Sequence, residues 1–568
     1  MNTALSTGRS EVTPAVDRAV SVGSARHPVA RSAGDHSATG RGVARPFASL
    51  PRALMLGART ARPTLTLTVL ICALLVAAVA SGIKGLYPTL SERVAYAASA
   101  GESVSSAAFN GRGYGLTTLG GITAAEVGFL GQILFPLLGI VVAVRLTRRE
   151  EESGRTELLT ASRVGRLTPL VSAAGLMILT ALATGAVMTA GMVAVGLPAA
   201  GSAWYAAAAG ACILFFGAVG LLLAQLCQQA RSAQQLGIVI FSIAYLVRFL
   251  VDGLELGVVW LSPLGWLPEV RSFDAPRAWP LVAYGASALL LLLASGMAAV
   301  RRDLGAGLIA PKPGPIRGSG HISAWKLALR SERTATVTWA FVACLWALLI
   351  GGFSTEMTKI INDNPSLLEA MGLERSTDLM TMMASIIIVA AAGAISVQGA
   401  SHFGAEEAAG RIGLLASTRC PRARLWAGWW AATLLSSLLV VAASALILGI
   451  GTAASSGQSE SIRTAVEVGS SYLASVLLIG ALSAVLAAIG PRWPVVGWVA
   501  IAWTVVVGFL AEALQLPEWA RDISPAHMVG VLPVDTPDPR VIVGQLAAAT
   551  VLLGCSLFIF RRRSLKAG

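Results

Sequence analysis

Residues 150–166 read Glu-Glu-Glu-Ser-Gly-Arg-Thr-Glu-Leu-Leu-Thr-Ala-Ser-Arg-Val-Gly-Arg, and residues 406–422 read Glu-Glu-Ala-Ala-Gly-Arg-Ile-Gly-Leu-Leu-Ala-Ser-Thr-Arg-Cys-Pro-Arg. A constant shift of 256 positions superposes Glu150 on Glu406, Glu151 on Glu407, Gly154 on Gly410, Arg155 on Arg411, Leu158 on Leu414 and Leu159 on Leu415 without a gap. Unrelated loops do not hold six residues in one register, so the chain carries an internal duplication and this segment is its best-kept part. Each copy lies between two long apolar runs. The acidic pair precedes a short helical stretch, where carboxylates suit the positive end of the helix dipole, and the trailing arginines suit the other end. Charge beside a membrane accounts for the arginines. It does not account for Gly-Arg and Leu-Leu kept in register, which points to a segment that docks against something.

The composition excludes an ordinary soluble protein. Of 568 residues, 55% are hydrophobic and 13% charged, and the mean hydropathy is +0.70. Apolar runs long enough to cross the hydrocarbon core as helices recur at 64–83, 121–144, 169–197, 204–227, 235–252 and 278–300, then at 336–354, 379–401, 425–450, 467–489, 495–513 and 541–560. The expected fold is an all-α polytopic membrane protein with twelve transmembrane helices arranged as two parallel six-helix repeats, 50–300 and 321–563. A Pro- and Gly-rich basic linker, 301–320, joins them. Residues 1–49 lack an apolar core and read as a disordered cytoplasmic tail, and 564–568 as a short second one. Two stretches, Leu50 to Arg62 and His321 to Arg333, alternate basic and apolar residues just before a membrane run. They read as interfacial helices along the inner leaflet.

The formal charge of +13 sits in particular loops and not along one stripe, so it speaks for positive-inside orientation and against a nucleic-acid surface. Most of the 43 lysines and arginines fall inside when both termini are cytoplasmic. Arginine far outnumbers lysine and alanine is abundant, which points to a high-GC bacterial source and so to the bacterial cytoplasmic membrane. The six cysteines have no metal or redox spacing and read as small packing residues.

No phosphate-binding GxxxxGK[ST] loop occurs, and no soluble stretch is long enough for a nucleotide-binding domain. Serine-hydrolase, zinc and dinucleotide signatures are also missing, and the five histidines are scattered. The chain is therefore expected to be no enzyme by itself and to bind no cofactor. Ionisable residues within spans are few: Glu126, Arg248, Asp252, Glu467 and Glu512, all toward the outer ends. Arg248 and Asp252 stand i, i+4 and are placed to pair. Gln132 is the most central strong hydrogen-bonding side chain. Glu126, Gln132, Arg248 and Asp252 are the candidates for a substrate path, weighed against plain structural pairing.

Glu-Glu-x-x-Gly-Arg-x-x-Leu-Leu between the second and third spans, the preceding basic stretch, and Ser262-Pro263-Leu264-Gly265-Trp266 before the sixth span resemble type-2 ATP-binding-cassette export permeases. The fused twelve-span form is similar to the actinobacterial polyketide-antibiotic and tetronasin-type efflux permeases. The resemblance covers roughly residues 50–563. It implies that the basic stretches are elbow helices, and that Glu150, Glu151, Gly154, Arg155, Leu158 and Leu159, with Glu406, Glu407, Gly410, Arg411, Leu414 and Leu415, form two coupling helices. Two copies of a separate ATPase subunit, which holds ATP and Mg, would dock there and drive hydrophobic or amphipathic compounds such as antibiotics out of the cell. The acidic pairs are expected to meet basic residues of the ATPase, and the leucines an apolar notch. The second copy departs at Ala408, Gly413 and Pro421, so the two sites need not couple equally. A proton-coupled twelve-span carrier is the competing class, but it calls for a titratable group near the midplane, and these carboxylates lie at the outer edge. Export of lipids is the alternative for the cargo.

Overall fold

The computed structural model describes residues 49–98, 103–161, 165–309, 323–355, 376–511, 514, 516–530, 532 and 535–565. Among these residues twelve helices are long and apolar enough to cross a membrane, and no strand occurs. The first half supplies span 1 (Leu50–Leu86), span 2 (Leu119–Leu146), span 3 (Thr168–Val195), span 4 (Ala199–Leu226), span 5 (Ala230–Gly253) and span 6 (Trp279–Arg301). The second supplies span 7 (Ala324–Gly352), span 8 (Ser376–Ala408), span 9 (Arg422–Ser456), span 10 (Glu460–Ile489, two helices meeting at Tyr472), span 11 (Trp493–Leu510) and span 12 (Pro539–Arg562). The chain is an all-α, multi-pass membrane protein. The expected tail up to residue 48, linker residues 310–320 and Glu512 lie outside the described residues.

Each half repeats one set of neighbour relations. Span 1 packs on span 3 as span 7 packs on span 9, and span 2 packs on spans 4 and 5 as span 8 packs on spans 10 and 11. Span 6 packs on span 4 as span 12 packs on span 10. Burial follows the same order: spans 2 and 8 are buried over 67% and 78% of their most apolar stretch, whereas spans 6 and 12 reach only 22% and 17%. The sixth span of each half therefore lies at the rim, with most of its surface turned to lipid.

Lipid tails are as apolar as leucine, so helix association in a bilayer rests on close packing. Spans 2 and 4 show how: a Cβ on Gly139 would lie 2.4 Å from the Ile213 carbonyl oxygen, and Gly220 abuts Ile140 and Ala143. Between the halves the contact is aromatic. Trp346 of span 7 meets Tyr245 of span 5 at 4.4 Å between ring centroids and Phe129 of span 2 at 5.6 Å. Phe353 meets Phe249 at 4.8 Å, and Phe509 of span 11 meets Phe129 at 4.9 Å. Such pairs add about 0.5–1.5 kcal/mol each beyond area burial.

The basic stretches differ from expectation. Among the described residues no separate elbow helix stands before span 1 or span 7; residues 50–62 and 324–333 are the first turns of the same continuous helices, and Pro63 lies inside span 1. The change from basic to apolar composition marks where the helix enters lipid, and long basic side chains snorkel to water without any break in the backbone. The Ser-Pro stretches do start short helical turns, Pro263–Gly265 in the first half and Pro525–Val529 in the second.

Candidate functional site

Span 2 ends at Leu146, where the Thr147 hydroxyl donates to the Ala143 carbonyl at 2.7 Å. The chain then makes a short helix, Arg148–Glu152, turns at Ser153-Gly154, and enters the first loop helix, Arg155–Ala161. The turn needs a left-handed residue, and Gly154 supplies it at φ +74°. Glu150 pairs with Arg145 and, at 3.2 Å, with Arg155. Glu151 is buried. Its carboxylate takes Arg148 at 2.7 Å, both terminal nitrogens of Arg302 at 2.7 and 2.8 Å, and the Gly305 amide at 2.6 Å. Glu152 accepts from the Ala230 amide at 2.7 Å, capping span 5.

The second loop repeats this plan. Gly410 turns at φ +77° into the second loop helix, Arg411–Ala416. Glu406 takes Arg411 through two bonds of 2.5 and 2.8 Å, and this carboxylate holds the Arg411 guanidinium above its usual range. Glu407 is buried and pairs with Arg563. In both halves, then, the first acid holds the arginine of Gly-Arg, and the second holds the residue that caps the end of the sixth span. Ala408 stands where Glu152 does and cannot cap a neighbouring helix.

Glu151 and Glu407 therefore face into the chain, while Glu150 and Glu406 stay part-exposed beside their arginines. What each loop helix presents outward is a leucine at one equivalent position: Leu158 is 75% exposed and Leu414 70%. Their neighbours Leu159 and Leu415 are half-buried, and the next equivalent pair, Thr156 and Ile412, is buried. A cleft of about 330 Å³ lies behind the first loop helix, lined among others by Thr156, Thr160, Glu151 and Arg302.

A family model described as the C-terminal domain of the multidrug efflux system permease Rv1217c matches residues 322–561, nearly all of the second half. Over nearly the full length, the chain is 30% identical to the multidrug efflux system permease protein Rv1217c of Mycobacterium tuberculosis strain H37Rv; the 557 aligned residues cover 94% of this chain and 98% of that one. The chain belongs to this family of multidrug efflux permeases.

Within the permease, three of the four substrate-path candidates come together at one place. The short helix Val104–Asn110, between spans 1 and 2, ends inside the bundle at the level of Gln132, halfway along span 2. The Gly111 amide closes the helix on the Ala107 carbonyl at 2.9 Å, which leaves the carbonyls beyond it to side chains, since at that depth no bulk water replaces a partner. Gln132 donates to the Asn110 carbonyl at 2.8 Å, Arg248 to those of Ala107 and Phe109 at 3.1 and 2.8 Å, and the Tyr245 hydroxyl to Phe109 at 2.6 Å. Asp252 balances this arginine at 3.5 Å and takes Arg112 at 3.2 Å. The pairing of Arg248 with Asp252 is as expected, and its purpose is to receive a helix end. Glu126 stands apart, hydrogen-bonded to Tyr96. Glu467 lies within span 10, as expected, exposed on its first helix, Glu460–Ser471, where it pairs with Arg463 at 2.7 Å.

Some functional residues escaped sequence reasoning. Arg302 and Arg563 lie about 150 residues beyond their acids, and only the fold brings them back. Glu332 is buried in the first turns of span 7, where it accepts from Thr433 of span 9 at 2.9 and 3.0 Å. Arg231 of span 5 reaches His402 of span 8 at 3.5 Å, one turn before Glu406, which sets both loops on one face of the molecule.

Proposed function

We propose that this permease is the membrane subunit of an ATP-driven, type-2 ATP-binding-cassette exporter. Its two loop helices face the cytoplasm and each seats one copy of a separate ATPase subunit, which binds ATP and Mg. The cargo is hydrophobic or amphipathic, in keeping with the multidrug efflux named for the relative, and antibiotics fit that description. Positive-inside bias supports cytoplasmic termini in a bacterial inner membrane.

The observation that carries this reading is the paired leucine. An exposed leucine at one equivalent position of two loops, on a face otherwise charged, is what an apolar notch in a partner would accept. With the acids engaged inside the chain, docking rests on Leu158 and Leu414 more than on charge attraction. The test is co-expression with an ATP-binding-cassette ATPase from the same organism, chosen first from the genes adjoining the permease's, followed by drug uptake into inverted vesicles. Leu158→Asp and Leu414→Asp together should abolish ATPase co-purification and ATP-dependent uptake while the permease still inserts. Uptake that ignores ATP and follows an imposed proton gradient would overturn the reading in favour of a secondary carrier.

A further inference from the structure

Both halves tie their buried loop acid to the end of the sixth span, and both tie the far part of that span to a Ser-Pro turn at the opposite face. In the first half Glu151 holds Arg302, and the buried Tyr284 hydroxyl donates to the Pro263 carbonyl at 2.5 Å. In the second half Glu407 holds Arg563, and Gln545 donates to the Pro525 carbonyl at 2.7 Å. Tyr284 and Arg302 are 18 residues apart, and so are Gln545 and Arg563. Eighteen residues make five turns of an α-helix, so the two anchors share one face of the helix, roughly 27 Å apart along its axis. The side chains at the far end have diverged from tyrosine to glutamine, yet the spacing and the proline carbonyl they reach are the same.

A rim helix packed mainly on one neighbour is free to shift along it as a unit, and a hydrogen-bonded helix changes little in length as it does. The geometry points to Arg302 and Arg563 as positioning residues that make spans 6 and 12 transmission rods. Displacement of a loop helix is passed through Glu151 or Glu407 to the arginine, along the span, and into the Ser-Pro turn at the other face. That turn is itself joined to the bundle: in the first half the Ser262 hydroxyl donates to the Ala244 carbonyl of span 5 at 2.7 Å, and in the second the Ser475 hydroxyl of span 10 donates to the Pro525 carbonyl at 2.8 Å. The rod thus ends on helices of the bundle core. This inference rests on the ATP-driven reading above.

The test uses the permease with its ATPase in lipid vesicles, with ATP hydrolysis and drug transport measured together. Arg302→Lys keeps the charge and loses the two-pronged contact, and Tyr284→Phe removes one hydroxyl at the far end. Each should leave ATPase binding intact and lower the drug moved per ATP by roughly 2- to 30-fold. The double variant should be no worse than the poorer single one, because both cuts break one rod. If Arg302→Lys fails to fold, Tyr284→Phe and Gln545→Leu, one on each rod, are each read singly for the drug moved per ATP. Melting temperatures taken in parallel separate lost stability from lost coupling. A transport-to-hydrolysis ratio unchanged in the variants, or losses that multiply in the double, would overturn the rod and leave the ATP-driven reading standing. A parent whose transport needs no ATP would overturn both.

Discussion

Gly154 has nothing within 4 Å of where a Cβ would sit, so its requirement is conformational and not spatial. The left-handed backbone costs an alanine about 1–2 kcal/mol, whereas asparagine visits it more readily. Gly154→Ala should therefore loosen the first loop helix, read as roughly 5- to 30-fold faster amide exchange over residues 155–161, and Gly154→Asn should do markedly less. Equal damage from both would mean that side-chain volume matters, against the open space seen. Of the loop, the Gly-Arg step and the leucine register were legible from the duplication itself. The direction in which the acids face was not. Glu151 and Glu407 are buried only because Arg302 and Arg563 return to them from the ends of distant helices, and no local pattern encodes that return.

Among the elements, the helix Val104–Asn110 decides why a polar amide is tolerated within span 2 and charge within span 5. Arg248 serves two of its carbonyls and a carboxylate, while Gln132 serves one carbonyl. Breaking a buried pair that leaves its partner charged costs about 3–5 kcal/mol, against about 0.6–2 kcal/mol for one hydrogen bond between membrane helices. Arg248→Met should accordingly lower the melting temperature of the purified permease well below that of Gln132→Leu, with the latter close to the parent. The reverse order would place the helix end elsewhere. All twelve spans were legible as apolar runs, because length and hydropathy are local properties. The re-entrant helix was not, since seven residues with no long apolar run look like any loop. Spans 1 and 7 were read as starting too late for the same reason, composition marking the lipid boundary and not the helix end.

Across the whole molecule, the two halves were visible as a repeat, but their junction was not. Trp346, Phe129 and Phe509 are apolar residues within apolar runs, and nothing local separates a helix face that meets the other half from one that meets lipid. The asymmetry between the loops also emerges only at this scale: the first is tied to span 5 by Glu152, whereas the second reaches span 5 through His402 and Arg231. A cytoplasmic loop face is expected to show in labelling, with cysteines placed at Ser153 and Ala409 reacting with impermeant thiol reagents only in opened cells; reaction in intact cells would invert the topology. The most direct measurement is the mass of the intact assembly, taken by native mass spectrometry on permease co-expressed with its ATPase. Two ATPase subunits per permease are expected for the parent, one after Leu158→Asp and none after Leu158→Asp with Leu414→Asp. Two subunits still bound to the double variant, or none bound to a parent that transports, would contradict the assignment of the two loops as ATPase seats.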